Sequence, residues 1–159
     1  MAMGIVVLGG LLASPAFARL GETRDQVLAR YGTPTETKDM GKIESLHFKK
    51  SGFTVFVEIA KDTGKAVQIY YWKDKPFAPA QVTELLSRNS EGKLWEQSPY
   101  AAFSARRSDG GTARGGEQKN PDGTVRYMLA LMSKAAGGSM EKSPADEACE
   151  NAVKEIEGL

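Results

Sequence analysis

Three consecutive stretches of alternating side chains between residues 45 and 72 constrain the fold of this chain more than any other feature. Turns at residues 51–52 and 61–64 separate them. Their apolar members are Leu46 and Phe48, then Phe53, Val55, Val57 and Ile59, then Val67, Ile69 and Tyr71. A period of two places every second side chain on the same face of a strand. The pattern therefore predicts an antiparallel meander whose aliphatic face packs against a helix.

A capping box before the meander marks a short helix. Thr23 and Gln26 have the spacing at which a hydroxyl and a carboxamide satisfy the first helical amides reciprocally. Gly32 supplies a stop, and Pro34 prevents continuation. The sequence predicts a helix over residues 24–31.

The second half shows the same order of a helix followed by strands. Pro79 suits the first position of a helix, whose buried stripe would be Val82, Leu85 and Leu86. Residues 100–106 and 124–132 are predicted to be strands. The glycine-rich residues 108–122 between them are typical of a loop with room for a short strand near 112–118.

Together these elements predict an α+β fold, with an antiparallel sheet of about five to six strands packed against short helices. The helix-plus-meander order would occur twice, over residues 19–75 and 76–133. A capping signature in residues 143–146 predicts a terminal helix over 144–158. Residues 19–159 are expected to form a single domain, because their number suits one hydrophobic core.

The first eighteen residues are typical of a secretory signal peptide. An uncharged apolar run over residues 5–13 precedes Ala16-Phe17-Ala18, which offers small side chains at the two positions that signal peptidase inspects. The run is too short to cross a membrane, which takes about 20 apolar residues. We expect cleavage near Ala18 and export to the periplasm or the cell exterior. The alternative is a buried N-terminal helix, which two glycines inside the run disfavour.

The charge balance and the single cysteine narrow the choice of partners. The chain has 21 basic and 20 acidic side chains, whereas nucleic-acid-binding proteins normally show a strong basic excess. Cys149 cannot form an intrachain disulfide, and it lies far from Arg19, where a lipoprotein would carry its lipidated cysteine. We therefore expect no nucleic acid, no transmembrane span and no lipid anchor, and the oligomeric state stays open.

The segment around the first predicted helix resembles the SmpA/OmlA (BamE-like) domain. The matching positions are Gly21, Thr23, Gln26 and Val27, followed by Tyr31, Gly32 and Pro34 and then by the aromatic-rich meander, over roughly residues 20–73. The doubled order of helix and strands is also similar to the β-lactamase-inhibitor-like fold. The resemblance implies a small exported layer of helices on a sheet whose free face holds another protein. Residues 19–23 are also similar to the start of small uncharacterised secreted bacterial proteins, which would imply no function.

Side chains suited to catalysis or metal binding are scarce. His47 is the only histidine, so a transition-metal site has little to build on. A Ser-His-Asp arrangement is compatible with any spacing, but no Gly-x-Ser-x-Gly elbow accompanies it. The apolar neighbours of Cys149 predict a small buried side chain rather than a reactive thiol. We expect no enzymatic activity, no cofactor and no metal.

The second face of the predicted sheet is the candidate binding surface. Its aromatic and basic side chains are Phe56, Tyr70 and Trp72, joined by Tyr100, Arg106 and Arg126 from neighbouring strands. Aromatic residues and arginine are enriched in protein interfaces, so we expect another envelope or secreted protein to bind here. The sequence leaves open whether the terminal helix covers this face instead.

Two alternatives remain at this point. The arginine-containing segment from Arg106 to Arg114 could hold a small ligand or anion, or serve a weak hydrolase. The chain could also be a structural envelope protein without a discrete ligand.

Overall fold

The computed structural model describes residues 18–97 and 103–136, which form two helices and eight strands. The helices are α1 (Arg24–Tyr31) and α2 (Pro79–Arg88). The strands are β1 (Glu36–Asp39), β2 (Ile43–Lys50), β3 (Phe53–Ala60), β4 (Lys65–Lys73), β5 (Trp95–Gln97), β6 (Ser104–Arg107), β7 (Thr112–Lys119) and β8 (Val125–Met132). They form one antiparallel sheet in the order β1-β2-β3-β4-β8-β7-β6-β5. Each helix is followed by four strands, and the two groups of strands join where β4 pairs with β8.

The described part of the fold is mostly β, so the predicted α+β class with five to six strands is wrong. The sequence pattern did not reveal β1 and β5. All four side chains of β1 are exposed, and β5 has only three residues. Neither strand therefore shows the alternation of apolar and polar residues by which a strand is recognised in a sequence. They lie at the two edges of the sheet, where pairing with a neighbouring strand holds them.

The glycine-rich residues 108–122 contain a strand at the place where the sequence left room for a short one, near 112–118. β7 covers Thr112–Lys119 and pairs along its whole length with β8. A tight turn joins it to β6, and the Arg107 amide donates to the Gly111 carbonyl at 2.7 Å. Two glycines and several polar side chains weaken the local signal of this strand, and long-range pairing with β8 stabilises it.

Both helices begin where the sequence predicted. In the α1 capping box, the Thr23 amide donates to Oε1 of Gln26 at 2.9 Å, and the Gln26 amide donates to Thr23 Oγ1 at 3.4 Å. Gly32 ends α1 with a φ of +82°, which favours glycine. Pro79 is the first residue of α2. Local hydrogen bonds and backbone restrictions decide these ends, so the sequence suffices to place them.

Both helices pack on the same face of the sheet, which we call the front face. Val27 of α1 and Leu85 and Leu86 of α2 are buried in one cluster with the strand residues of this face. The strand members of the cluster are Leu46, Phe48, Phe53, Val55, Val57, Ile59, Ala66, Ile69, Tyr71, Ala105, Ala113, Leu129 and Leu131. Burial of one large aliphatic side chain contributes about 1.5–3 kcal/mol. The front face is therefore the main source of stability.

The N-terminal segment of the described residues belongs to this core. Ala18 is fully buried, its amide donates to the Tyr31 hydroxyl, and its carbonyl accepts a hydrogen bond from the Tyr71 hydroxyl at 2.9 Å. The Leu20 amide donates to Oδ1 of the buried Asn89 at 2.9 Å. The residue at the predicted cleavage point is thus packed between two tyrosines.

An irregularity in β4 places Val67 on the other side of the sheet. Glu58 pairs with Gln68, but the next residue of β3, Ile59, pairs with Ala66. Val67 is therefore an extra residue, as in a β-bulge, and it belongs to a separate apolar cluster. The prediction that Val67 lies on the aliphatic face of the meander is wrong, because unbroken alternation cannot indicate a bulge.

Some predicted segments lie outside the described residues. These are residues 1–17 of the predicted signal, residues 98–102 with Tyr100, and the predicted terminal helix over 144–158.

Candidate protein-binding face

The face of the sheet opposite the helices, which we call the back face, carries a group of aromatic side chains. Phe56 of β3 lies opposite Tyr70 of β4, and Trp72 of β4 lies opposite Met128 of β8. Arg126 projects from the same side of β8. All five side chains are half-buried, and we call them the aromatic patch. Within residues 18–97 and 103–136 no helix covers the patch, since α1 and α2 lie on the front face.

Arg126 holds Trp72 in place at one end of the patch. Its guanidinium carbon lies 5.5 Å from the centroid of the Trp72 ring. Its Nη2 donates to Thr54 Oγ1 at 3.3 Å, and its Nε lies 3.7 Å from a carboxylate oxygen of the exposed Asp74. The indole Nε1 of Trp72 is shielded from solvent and has no hydrogen-bond partner among the described residues. The indole is thus presented mainly as an apolar surface.

Tyr70 lies in the partly desolvated centre of the back face. Its hydroxyl donates to Oε1 of Gln68 at 2.6 Å. Burial raises the pKa of Tyr70, and the charge of Glu58 raises it further. Burial likewise raises the pKa of Glu58. Both side chains are thus partly desolvated, which disfavours their charged forms.

His47 joins the other end of the patch to the edge of the sheet. Its ring centroid lies 4.2 Å from that of Phe56. Its Nδ1 is 2.9 Å from a carboxylate oxygen of Glu36, and its Nε2 is 3.1 Å from the hydroxyl of Ser45. Serine, imidazole and carboxylate follow each other here in the order of a hydrolase triad.

Ser45 lies inside the sheet and is only 4% exposed. β2 pairs with β1 on one side and with β3 on the other, so the backbone amides of β2 near Ser45 take part in the two ladders. We interpret these contacts as a polar network that fixes the His47 ring against Phe56.

Four of the six predicted binding residues come together on the back face. They are Phe56, Tyr70, Trp72 and Arg126. The exposed Arg106 lies on the same face, but three strand spacings separate β6 from β4, which is about 14 Å. Tyr100 lies outside the described residues.

Arg114 belongs to the back face and lies within the short strand that the sequence allowed near residues 112–118. It lies on β7 opposite Ala130 of β8. Thr112 and Arg114 alternate with the buried Ala113, as a strand requires.

The turn between β6 and β7 contains a buried arginine, Arg107, which is bonded within the protein. Arg107 is 3% exposed, and its Nε and Nη2 each donate to one carboxylate oxygen of Asp109 at 2.8 Å. Its Nη1 donates to the Asn89 carbonyl at 2.8 Å and lies 3.1 Å from a carboxylate oxygen of Glu91. This guanidinium holds the pKa of Asp109 well below its usual range. Arg107 thus links the turn to the end of α2, and its donors are already engaged.

Residues 18–97 and 103–136 contain no group of three His, Cys, Asp or Glu side chains arranged to hold a metal ion. Neither α1 nor α2 is long and apolar enough to cross a membrane.

Comparisons with known proteins leave the family open. No family model and no curated protein matches the chain. Among solved structures, the chain is similar to an extracellular protein containing an SCP domain from Bacillus anthracis str. Ames, with 12% identity and a TM-score of 0.39. The match covers 80% of this chain and 51% of that protein, so the chain spans about half of its length. At this similarity no activity transfers, and the resemblance to the SmpA/OmlA domain stays a prediction.

Proposed function

We propose that this chain is an exported, non-enzymatic protein-binding module of the cell envelope or the extracellular space, and that its aromatic patch holds a partner protein. The observation that carries the proposal is the patch itself. Five half-buried side chains of interface-forming types lie together on the face that neither helix covers.

The residue types and their rigidity support a protein partner. Aromatic rings, methionine and arginine are enriched at the centres of protein interfaces, where a few of them carry most of the binding energy. Arg126 lies over the Trp72 ring, and the His47 ring contacts the Phe56 ring at a tilt of 33°. Rings that are already held lose less conformational entropy when a partner binds.

Charged side chains of both signs surround the patch. Lys49, Arg106 and Arg114 lie on the back face with Arg126. Glu58 and Glu96 lie on the same face, and Asp74 lies beside Arg126. Charged residues at an interface rim act mainly on specificity and association rate. We therefore propose a partner surface with an apolar centre and a rim of both charge signs.

Two further observations support the other parts of the proposal. The composition of the first eighteen residues favours export. The low exposure of Ser45 and the ladder pairing of β2 favour binding over hydrolysis.

The test is partner capture with matched variants. An N-terminally tagged chain starting at Phe17 retains the buried Ala18 and is exposed to crosslinked envelope and culture-fluid extracts of the source organism. A Tyr70→Ala/Trp72→Ala double variant removes two rings of the patch. Tyr127→Ala removes a half-buried ring on the front side of β8 and serves as the control. We expect a protein that the unchanged chain and the control retain, and that the double variant binds about tenfold or more weakly.

The captured protein is then purified and its affinity for all three chains is measured. Equal affinity for the unchanged chain and the double variant would contradict the proposal. Loss of the cooperative thermal transition in the double variant would instead identify the two rings as core residues.

A further inference from the structure

A cavity of about 980 Å³ opens on the back face beside the aromatic patch. Its apolar lining includes Ile43, Ala60, Val67 and Ala136, and Tyr70 forms part of its wall. Val67 reaches this side of the sheet because of the bulge in β4. The bulge thus creates a small second apolar cluster, which α1 and α2 cannot cover from the front face.

The described chain ends at this cavity. Ala135 and Ala136 line it, and residues 137–159 follow. Residues 137–143 can extend over at most about 24 Å, and a helix over residues 144–158 would be about 22 Å long. The C-terminal segment therefore starts at the cavity and is long enough to turn back over it.

The sequence of this segment requires an apolar partner surface if it is to be helical. At helical spacing it carries a stripe consisting of Ala148, Cys149, Ala152, Val153 and Ile156. An isolated helix of about 15 residues is marginal in water. Packing of the stripe against an apolar surface would supply the missing stabilisation.

Charge favours contact between the segment and the rest of the chain. Residues 137–159 contain six acidic and two basic side chains, so residues 1–136 contain 19 basic and 14 acidic ones. Lys42 and Lys61 line the cavity together with Asp62 and Glu58. The charges that line the cavity cancel, so the attraction on the acidic segment comes from the net positive charge of residues 1–136 as a whole.

Residues 137–159 begin at the cavity, are long enough to turn back over it, carry an apolar stripe at helical spacing and are acidic. We infer that they turn back as an amphipathic helix whose apolar stripe fills the back-face cavity. The segment then closes a second, smaller core and borders the aromatic patch at Tyr70. The inference goes beyond the proposed function and does not depend on it, because it concerns contacts within one chain.

Cys149 allows a direct test, because it is the single cysteine and lies in the stripe. The probe is the rate of Cys149 alkylation by iodoacetamide in the purified chain from Phe17 to Leu159. Ala60→Asp places a charge in the cavity, and we expect alkylation about tenfold faster than in the unchanged chain. Gln118→Asp adds the same charge on the back face about 30 Å away and should leave the rate unchanged. Equally fast alkylation in all three folded chains would overturn the inference.

A crosslinking experiment keeps the test decisive if Ala60→Asp does not fold. Ala60→Cys and Gln118→Cys each give the chain a second thiol. Under mild oxidation we expect Ala60→Cys to form an intrachain disulfide with Cys149 at least about tenfold faster than Gln118→Cys, because a disulfide needs Cα atoms within about 7 Å. Equal rates would overturn the inference, and so would disulfides that join two chains, since a second copy would then occupy the cavity. Both experiments use one purified protein, so their failure is distinguishable from a failure to capture a partner.

Discussion

The two faces of the sheet come from the same strands but differ in what they can do. On the front face, fully buried aliphatic side chains such as Val57 and Ile69 pack under both helices. On the back face, their sequence neighbours Phe56 and Tyr70 stay half-buried. Alternation along a strand thus separates residues that stabilise the fold from residues that shape a surface. We therefore expect that stability and the proposed binding can be changed independently.

Adjacent arginines show the same separation. Arg107 points to the front, where it is buried and bonded to Asp109, Asn89 and Glu91. Arg106 points to the back and is exposed. One residue of register decides whether an arginine acts as a structural link or as a surface charge.

The largest expected effect comes from truncation of the front face. Ile69→Ala removes a fully buried side chain and should lower the free energy of unfolding by about 2–5 kcal/mol. Met128→Ala on the half-buried back face should lower it by less than about 1.5 kcal/mol. Urea denaturation of both variants measures the difference. Equal losses would mean that the back face is packed as tightly as the front.

An intermediate effect is expected at the buried arginine. Arg107→Ala leaves Asp109 without its main partner and the Asn89 carbonyl without a donor, so we expect a loss of about 2–3 kcal/mol. Arg106→Ala should change stability by less than about 0.5 kcal/mol. Thermal unfolding of the two variants makes the comparison. If Arg106→Ala also abolished an anion-dependent rise in melting temperature, the ligand-binding alternative would gain support.

The smallest of these effects concerns the start of the folded chain. A chain beginning at Arg19 lacks Ala18, so the buried Tyr71 hydroxyl loses its carbonyl acceptor. We expect it to be about 1–2 kcal/mol less stable than a chain beginning at Phe17. Melting temperatures of the two purified chains test this. Identical values would show that the contacts of Ala18 contribute nothing measurable to stability.

Several elements could be predicted from the sequence because local signals specify them. Each of these signals spans only a few residues. They are the capping box of α1, Pro79 at the start of α2, and the alternation in β2, β3 and β8. The grouping of Phe56, Tyr70 and Trp72 on one face followed from the same alternation.

Other features depend on contacts between distant parts of the chain. β1 and β5 exist through pairing with β2 and β6 and carry no apolar pattern of their own. The engagement of Arg107 depends on Asn89 and Glu91 at the end of α2. No local pattern reports these partners, and a loop and an edge strand of polar residues therefore look alike in the sequence.

The helix ends, the central strands and the division of their side chains between two faces could all be predicted from local sequence. Backbone preferences and short-range periodicity act within one turn or one strand, and the sequence records them directly. The bulge that turns Val67 outward and the burial of Arg107 rather than Arg106 became visible only in the folded protein. Those outcomes depend on the pairing of strands and the packing of helices that are far apart in the chain. The free energy of many such contacts, acting together, selects them.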